Sequence, residues 1–315
     1  MVIGIPRGLF FYLYFPLWKS FFENLGCEVV LSSKTNKKIM EDGLKNCVDD
    51  ACLPVKVFHG HVMDLKGKCD YIYIPRIIST NKREYICPKF MGLPDMVYNS
   101  IEIDIPIIDD EIDLYKSNMS LYKHFYGIGQ KLGKPKKDVI KAFLLALHNF
   151  KSHIKLIKKK QIIPYVSTIE NSEGGYKYNV LLLGHPYNIY DEYISMNLIK
   201  KLSNYRVKVL TPDVIDEKEI LKGTSYLNKK LFWTLEKNIV GSAFSKIYSK
   251  EVDGIIYVAS FGCGPDSIIG DLLKIKIEDN YEIPFLQLNL DEHSGQAGFD
   301  TRLEAFIDIL ERRQN

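Results

Sequence analysis

Residues 253–267, DGIIYVASFGCGPDS, hold a strand, a glycine-flanked turn and a helix start in one short stretch. The run 254–259 is apolar and of strand length, and Pro265 suits the first turn of a helix, where its missing N–H costs nothing. A strand that turns directly into a helix is half of a βαβ unit. Working outward, the same alternation continues on both sides. Upstream lie strands at 179–183 and 206–210 with helices at 192–202 and 230–249; downstream come Phe285–Leu290 and a last helix at 301–312. Nearer the start, Val2–Ile5, a helix over 9–25 and Glu28–Leu31 open an earlier series. Helices at 36–47 and 54–65, a strand at 70–74, a helix near 91–98 and a strand at 105–108 continue it. Strands alternating with helices predict an α/β fold with parallel sheets covered on both faces.

Between the two series, the stretch from about 120 to 160 keeps helical spacing, with Pro135 placed as a first-turn residue. The polar STIENSEGGYKY at 167–178 has no periodicity and a Gly-Gly pair, which suits a loop. The expected organisation is therefore a first α/β lobe at 1–118, a helical bridge at 119–166 and a second α/β lobe at 167–315. A chain of 315 residues with 46% apolar content is long enough for both lobes to bury a core. No internal repeat of 20–50 residues is visible, so the two lobes resemble one another only in type.

Lys and Arg number 42 against 39 Asp and Glu, and a net charge of +3 argues against a nucleic-acid footprint. The Lys-rich run at 151–160 reads as a solvated helix face. No stretch of about 18 apolar residues and no signal-peptide pattern occurs, so no membrane segment and a cytoplasmic location are expected. In that compartment thiols stay reduced, and the six cysteines read as core residues, metal ligands or reactive thiols.

Three of the six stand apart by context. Cys263 follows a strand between Gly262 and Gly264, which let backbone approach a bulky ligand, and precedes a helix whose dipole favours a thiolate. Cys87, in EYICPKF, and Cys52, in DDACLPVK, also lie beside prolines, Cys52 at an expected helix start. In parallel α/β sheets ligands gather at the carboxyl ends of strands. Cys27 and Cys69, at strand starts, read as inert core thiols. Cys47 forms a C-x4-C pair with Cys52 and stays open as a chelator; the absence of C-x-x-C weakens a zinc ribbon or a thioredoxin-type site.

GIPRGLFFY, NKKIMEDG, ACLPVKVFHGHV, YICPKFMGLPD, LLGHPYNIYD, SFGCGPDS and LNLDEHSGQAGFDTRLEAF together resemble the acyl-CoA dehydratase activase-related proteins, within the wider superfamily of 2-hydroxyacyl-CoA dehydratase subunits. The resemblance spans nearly the whole chain. It implies two Rossmann-like lobes around a [4Fe–4S] cluster held by three cysteines, here Cys52, Cys87 and Cys263, with the fourth iron open to a small-molecule ligand. It also implies an ATP-driven reductase or activator as partner, and a homodimer or a heterodimer with a related subunit. Larger relatives carry an actin-like ATPase domain that does not precede Met1, and no phosphate-loop motif occurs, so no ATPase activity is expected.

Further polar groups follow strands of the second series. His185, Tyr187 and Asn188 lie after 179–183 and are candidates to line a cofactor, against a plain capping role. Glu292 and His293, after Phe285–Leu290, are candidate proton donors or acceptors. Lys56 and Lys89 would offset cluster charge, although exposed lysines are common. His59 and His61 sit two apart on a helix and face different ways, which argues against a shared metal. The favoured reading is a cluster-binding redox protein, since three ligands leave an iron open for chemistry. The alternatives are an accessory module with a structural zinc or cluster, docking on a larger dehydratase or reductase, and a metal-free small-molecule binder.

Overall fold

The strand-length apolar runs pair into two separate parallel sheets of four strands each. The computed structural model describes residues 1–160, 175–227 and 230–314. It divides the chain into two compact units, Met1–Leu156 with Phe232–Thr234, and Ile157–Leu231 with Leu235–Asn315. The loop expected at 167–178 and the division expected after 166 fall largely outside the described residues.

Unit 1 runs β1 (Val2–Ile5), α1 (Phe11–Asn24), β2 (Glu28–Leu31), α2 (Lys37–Lys45), α3 (Leu53–Asp64), β3 (Tyr71–Tyr73), β4 (Arg76–Ser79), α4 (Pro88–Ser100), β5 (Ile107–Ile108), β6 (Glu111–Asp113), α5 (Met119–Lys131) and α6 (Lys136–Lys160). Its main sheet has the order β2-β1-β3-β5, and every pairing is parallel. Ile3, Ile5, Ile72 and Tyr73 are almost wholly buried there, and Phe21, Phe22, Trp18 and Phe125 pack around Tyr73 and each other. A second, two-stranded pairing of β4 with β6 was not anticipated: three or four residues carry too little periodicity to separate a strand from a loop. Consequently Cys87 follows β4, not the 70–74 strand directly. The segment expected to be a bridge is helical as α5 and α6, and its residues through Leu156 belong to unit 1.

Unit 2 runs β7 (Tyr178–Gly184), α7 (Pro186–Ile189), α8 (Leu198–Asn204), β8 (Val207–Leu210), α9 (Glu217–Thr224), α10 (Thr234–Ser249), β9 (Gly254–Ser260), α11 (Gly264–Asn280), β10 (Phe285–Leu290) and α12 (Gln296–Gln314). The sheet order is β8-β7-β9-β10, again all parallel. β9 is buried at every residue and β7 at all but one, which explains their unbroken apolar runs: both faces are covered. The expected helix at 192–202 is shorter and later. The Asp191 carboxylate accepts from the Tyr193 and Ile194 amides at 3.0 Å each, and Met196 and Asn197 turn left-handed before α8 begins. The short helix α9 was not anticipated.

In rank order the two sheets are identical: second, first, third, fourth strand. A pair of helices follows the second strand in each unit, α2 with α3 and α9 with α10, and each pair touches backbone to backbone through glycines. A Cβ on Gly60 would strike the Ile39 carbonyl oxygen, and one on Gly241 would strike that of Ile220. Among the described residues no helix is long and apolar enough to cross a membrane.

Candidate functional site

In a sheet of this order the chain leaves its first and third strands in opposite directions, so a crevice opens at their carboxyl ends. In unit 2 those strands are β7 and β9, and the residues after them are His185 and Cys263. Pro186 fixes the first turn of α7, so His185 becomes its N-cap with extended backbone. Pro265 does the same for α11, and Cys263 is its N-cap.

The two side chains meet over a buried carboxylate missing from the sequence reading, Asp266 in the first turn of α11. A ring nitrogen of His185, the Cys263 sulfur and an Asp266 carboxylate oxygen lie within 4.8 Å of one another. His185 Nδ1 is 3.3 Å from Asp266 Oδ1 and 2.8 Å from the Tyr187 hydroxyl. Asp266 is held in turn: the Tyr257 hydroxyl donates to Oδ1 at 3.0 Å and the Ser260 amide to Oδ2 at 3.2 Å. Asn188, wholly buried, accepts from the Ser260 hydroxyl at 2.7 Å and reaches Asp266 Oδ2 at 3.5 Å. Glu236 of α10, also unanticipated, is buried with Oε1 3.6 Å from His185 Nε2, a nitrogen without a hydrogen-bond partner among the described residues.

These contacts set the charges. Burial alone would push the His185 imidazole down, but Asp266 foremost, then Cys263 and Glu236, outweigh it and hold the ring well above its ordinary value. Burial likewise works against an ionised Asp266, and the facing imidazole overrides it, leaving the carboxyl below its usual range. Burial raises the Cys263 thiol, with Asp266 adding to the rise and the nearby His185 opposing it. The cluster is therefore a charged pair with a thiol against it. Its individual members were legible only in part: Asp266 could have been suspected as an acid in a helix's first turn, whereas nothing in the sequence near Glu236 marks it.

Gly262 and Gly264 flank Cys263; Gly262 has φ +76, and a Cβ on Gly264 would meet nothing within 4 Å. Glu292 and His293 lie just past β10 with Asp291, whose carboxylate accepts from the His293 amide at 2.9 Å. His293 is exposed, and with Asp291 and Glu292 it forms a second group, distinct from that of Cys263.

Unit 1 places its two expected ligands in the same local setting. Cys52 is the N-cap of α3 and Cys87 the N-cap of α4, each with proline in the first turn and no side-chain capping bond, as with Cys263. Cys47 lies close enough to Cys52, Lys56 and Lys89 for their charges to act on it, although burial is the main reason its thiol is raised. Cys27 is buried, and Cys69 donates to the Leu65 carbonyl at 3.7 Å. His59 and His61 point to different partners: His59 Nδ1 to the Val55 carbonyl at 2.8 Å, His61 to the hydroxyls of Ser32 and Thr35 at 2.9 Å each. The crevice beyond β1 and β3 is apolar, lined by Pro6, Leu9, Phe58, Tyr73, Ile74 and Phe90.

A family model described as "CoA enzyme activase uncharacterised domain" matches residues 2–215, well over half of the chain. Cys52, Cys87 and His185 fall inside the match, and Cys263 and Asp266 lie beyond it. No curated protein matches the sequence.

Proposed function

The chain belongs to the CoA enzyme activase family described by that model, and on this premise we propose that it is an iron–sulfur redox protein serving a partner enzyme. In this reading Cys52, Cys87 and Cys263 hold a [4Fe–4S] cluster, and the fourth iron is left for a small-molecule ligand. An ATP-driven reductase supplies the electron. One observation carries the reading: all three cysteines are N-caps of proline-led helices.

The donor set fits such a group. A thiolate is the form that binds iron, and the positive end of a helix dipole lowers the cost of that charge. Asn, Ser or Asp would ordinarily fill an N-cap by accepting an amide hydrogen bond; a cysteine there places a sulfur at the positive end of the helix instead. Lys56 and Lys89, four and two residues past the caps of α3 and α4, bring positive charge toward the same helix ends. When bound, the cluster supplies one-electron chemistry at low potential. The chain's own residues fix the thiolates and screen their charge.

Anaerobic purification with iron, sulfide and zinc measured per chain tests the proposal. A brown protein with iron and sulfide in equal amounts, lost on Cys263→Ala and kept on Cys69→Ala, is the expected result. Full iron content in Cys263→Ala protein would overturn the ligand assignment. A second reading rests on the close grouping of His185, Cys263 and Asp266, which suits a single divalent ion. Colourless protein carrying zinc would favour that structural-metal module.

A further inference from the structure

We infer that the Asp266–His185 pair is a positioning unit for the Cys263 sulfur, giving it a hydrogen bond that raises the electron affinity of the group it ligates; this rests on the cluster reading above.

Each Asp266 oxygen already has partners. Its Oδ1 receives the Tyr257 hydroxyl and faces His185, and its Oδ2 receives the Ser260 amide and the Asn188 side chain. A carboxylate held by donors on both oxygens acts as a fixed acceptor. What it fixes is His185, whose Nδ1 also meets the Tyr187 hydroxyl. A ring held on that edge by two groups from different elements has one orientation, and the Cys263 sulfur lies within 4.8 Å of one of its nitrogens. Metal-site histidines are routinely oriented by an outer carboxylate in this way.

The grouping also separates a hydrogen-bonding role from ligation of a neighbouring iron. Ligands on different irons of a cubane splay apart, whereas the ring nitrogen and the Cys263 sulfur lie within 4.8 Å of each other. Burying a charged pair is costly, and apolar packing would stabilise a core of the same volume as well or better. A buried ionic pair at the carboxyl ends of the first and third strands, in contact with an expected ligand, is therefore best understood by its effect on that ligand. A hydrogen bond to a thiolate sulfur withdraws electron density and favours the reduced, more negative state.

The test uses the full chain, anaerobically purified, as wild type, His185→Leu, His185→Gln and Asp266→Asn, with iron per chain and the midpoint potential both measured. Iron content should stay at the wild-type level in all three variants. His185→Leu should shift the reduction equilibrium roughly tenfold toward the oxidised form, about 59 mV lower for a one-electron couple. His185→Gln, which keeps a donor, should recover most of that, and Asp266→Asn should fall between. An unchanged midpoint with full iron in Asp266→Asn and in either His185 variant overturns the inference while leaving the cluster intact. Loss of iron in both His185 variants also overturns it, making the ring a ligand. Wild-type protein without iron overturns the cluster reading, and this inference with it. Should His185→Leu fail to fold, the near-isosteric Asp266→Asn decides.

Discussion

The two units share a strand order and a helix pair after the second strand, yet they fill the crevice beside their first and third strands with opposite chemistry. In unit 1 that crevice is apolar, with Pro6, Leu9, Phe58 and Phe90 packed around it. In unit 2 it holds His185, Cys263 and Asp266, each at least half-buried and linked into one network. Even the entry motifs run parallel. β1 ends at Ile5 before Pro6, and β7 at Gly184 before His185–Pro186; Cys87 caps α4 after the third sheet strand of unit 1 and the intervening β4, and Cys263 caps α11 directly after the third strand of unit 2. The difference teaches that the frame dictates where chemistry can sit, while a few residues at helix starts dictate whether it does. Cys52 has no counterpart in unit 2, where α10 begins at Thr234.

The largest way to break the comparison is to remove a cap thiol from either side. If Cys87 and Cys263 occupy equivalent and cooperating positions, Cys87→Ala should abolish stable iron binding as completely as Cys263→Ala, and Cys52→Ala should do the same. Cys27→Ala should leave iron unchanged. Iron retained in Cys87→Ala while lost in Cys263→Ala would confine the metal to unit 2 and favour the single-ion reading.

A smaller contrast is expected in acid. Burial drives His61 and His124 of unit 1 down to about 3, so both are neutral in the folded protein. A depressed folded value means stability that is present above the unfolded value and lost as pH falls toward the folded one. Unit 1 should thus lose on the order of several kcal/mol between about pH 6.5 and pH 3. In unit 2 the signs are reversed for His185: its raised value contributes stability that is complete below about pH 6.5 and fades only as pH climbs through the folded value. Asp266, depressed, loses its contribution only in stronger acid. Hydrogen exchange from pH 7 to 4 should show unit 1 amides losing protection first. His124→Gln, which stays neutral and can still meet the Tyr73 hydroxyl, should flatten that acid limb. Equal loss in both units would remove the contrast.

The frame was legible because its strands are long apolar runs. β1, β2 and β10 lie where periodicity puts them, and β7 and β9 extend past it by a residue or two at most, since a covered parallel strand has no polar face to interrupt it. Legibility failed where local geometry overrode composition. The left-handed pair Met196–Asn197 shortened a helix, and β4 and β6 hold at most two consecutive apolar residues between polar ones. The repeated strand order was invisible because it lives in connectivity and not in residue identity. For the site, the cysteines could be singled out by neighbouring Pro and Gly, which act locally. Glu236 could not, and Asp266 only as an acid in a helix's first turn, because each gains its meaning from His185, which is 51 and 81 residues away in sequence.

The smallest expected effects test the shared helix pair. In unit 1 a Cβ on Gly43 would meet the Lys56 carbonyl oxygen and one on Gly60 that of Ile39; in unit 2 the equivalents are Gly223 against Gly241 and Gly241 against Ile220. The obstructing atoms are backbone, so the helices must separate before a methyl group fits. Overpacking of this kind costs about 1–3 kcal/mol, and part is offset because alanine favours helix over glycine by roughly 1 kcal/mol. Gly60→Ala should therefore destabilise unit 1 modestly and leave unit 2 alone, and Gly241→Ala should do the converse. Because α3 begins at Cys52, a shift of α3 in Gly60→Ala should also weaken iron retention, whereas α10 carries no cysteine and Gly241→Ala should lower stability without touching iron content. Denaturant melts paired with iron analysis on both variants read the two effects apart. Iron lost from Gly241→Ala as readily as from Gly60→Ala would show that the helix pair matters only through stability and not through the cysteine it carries.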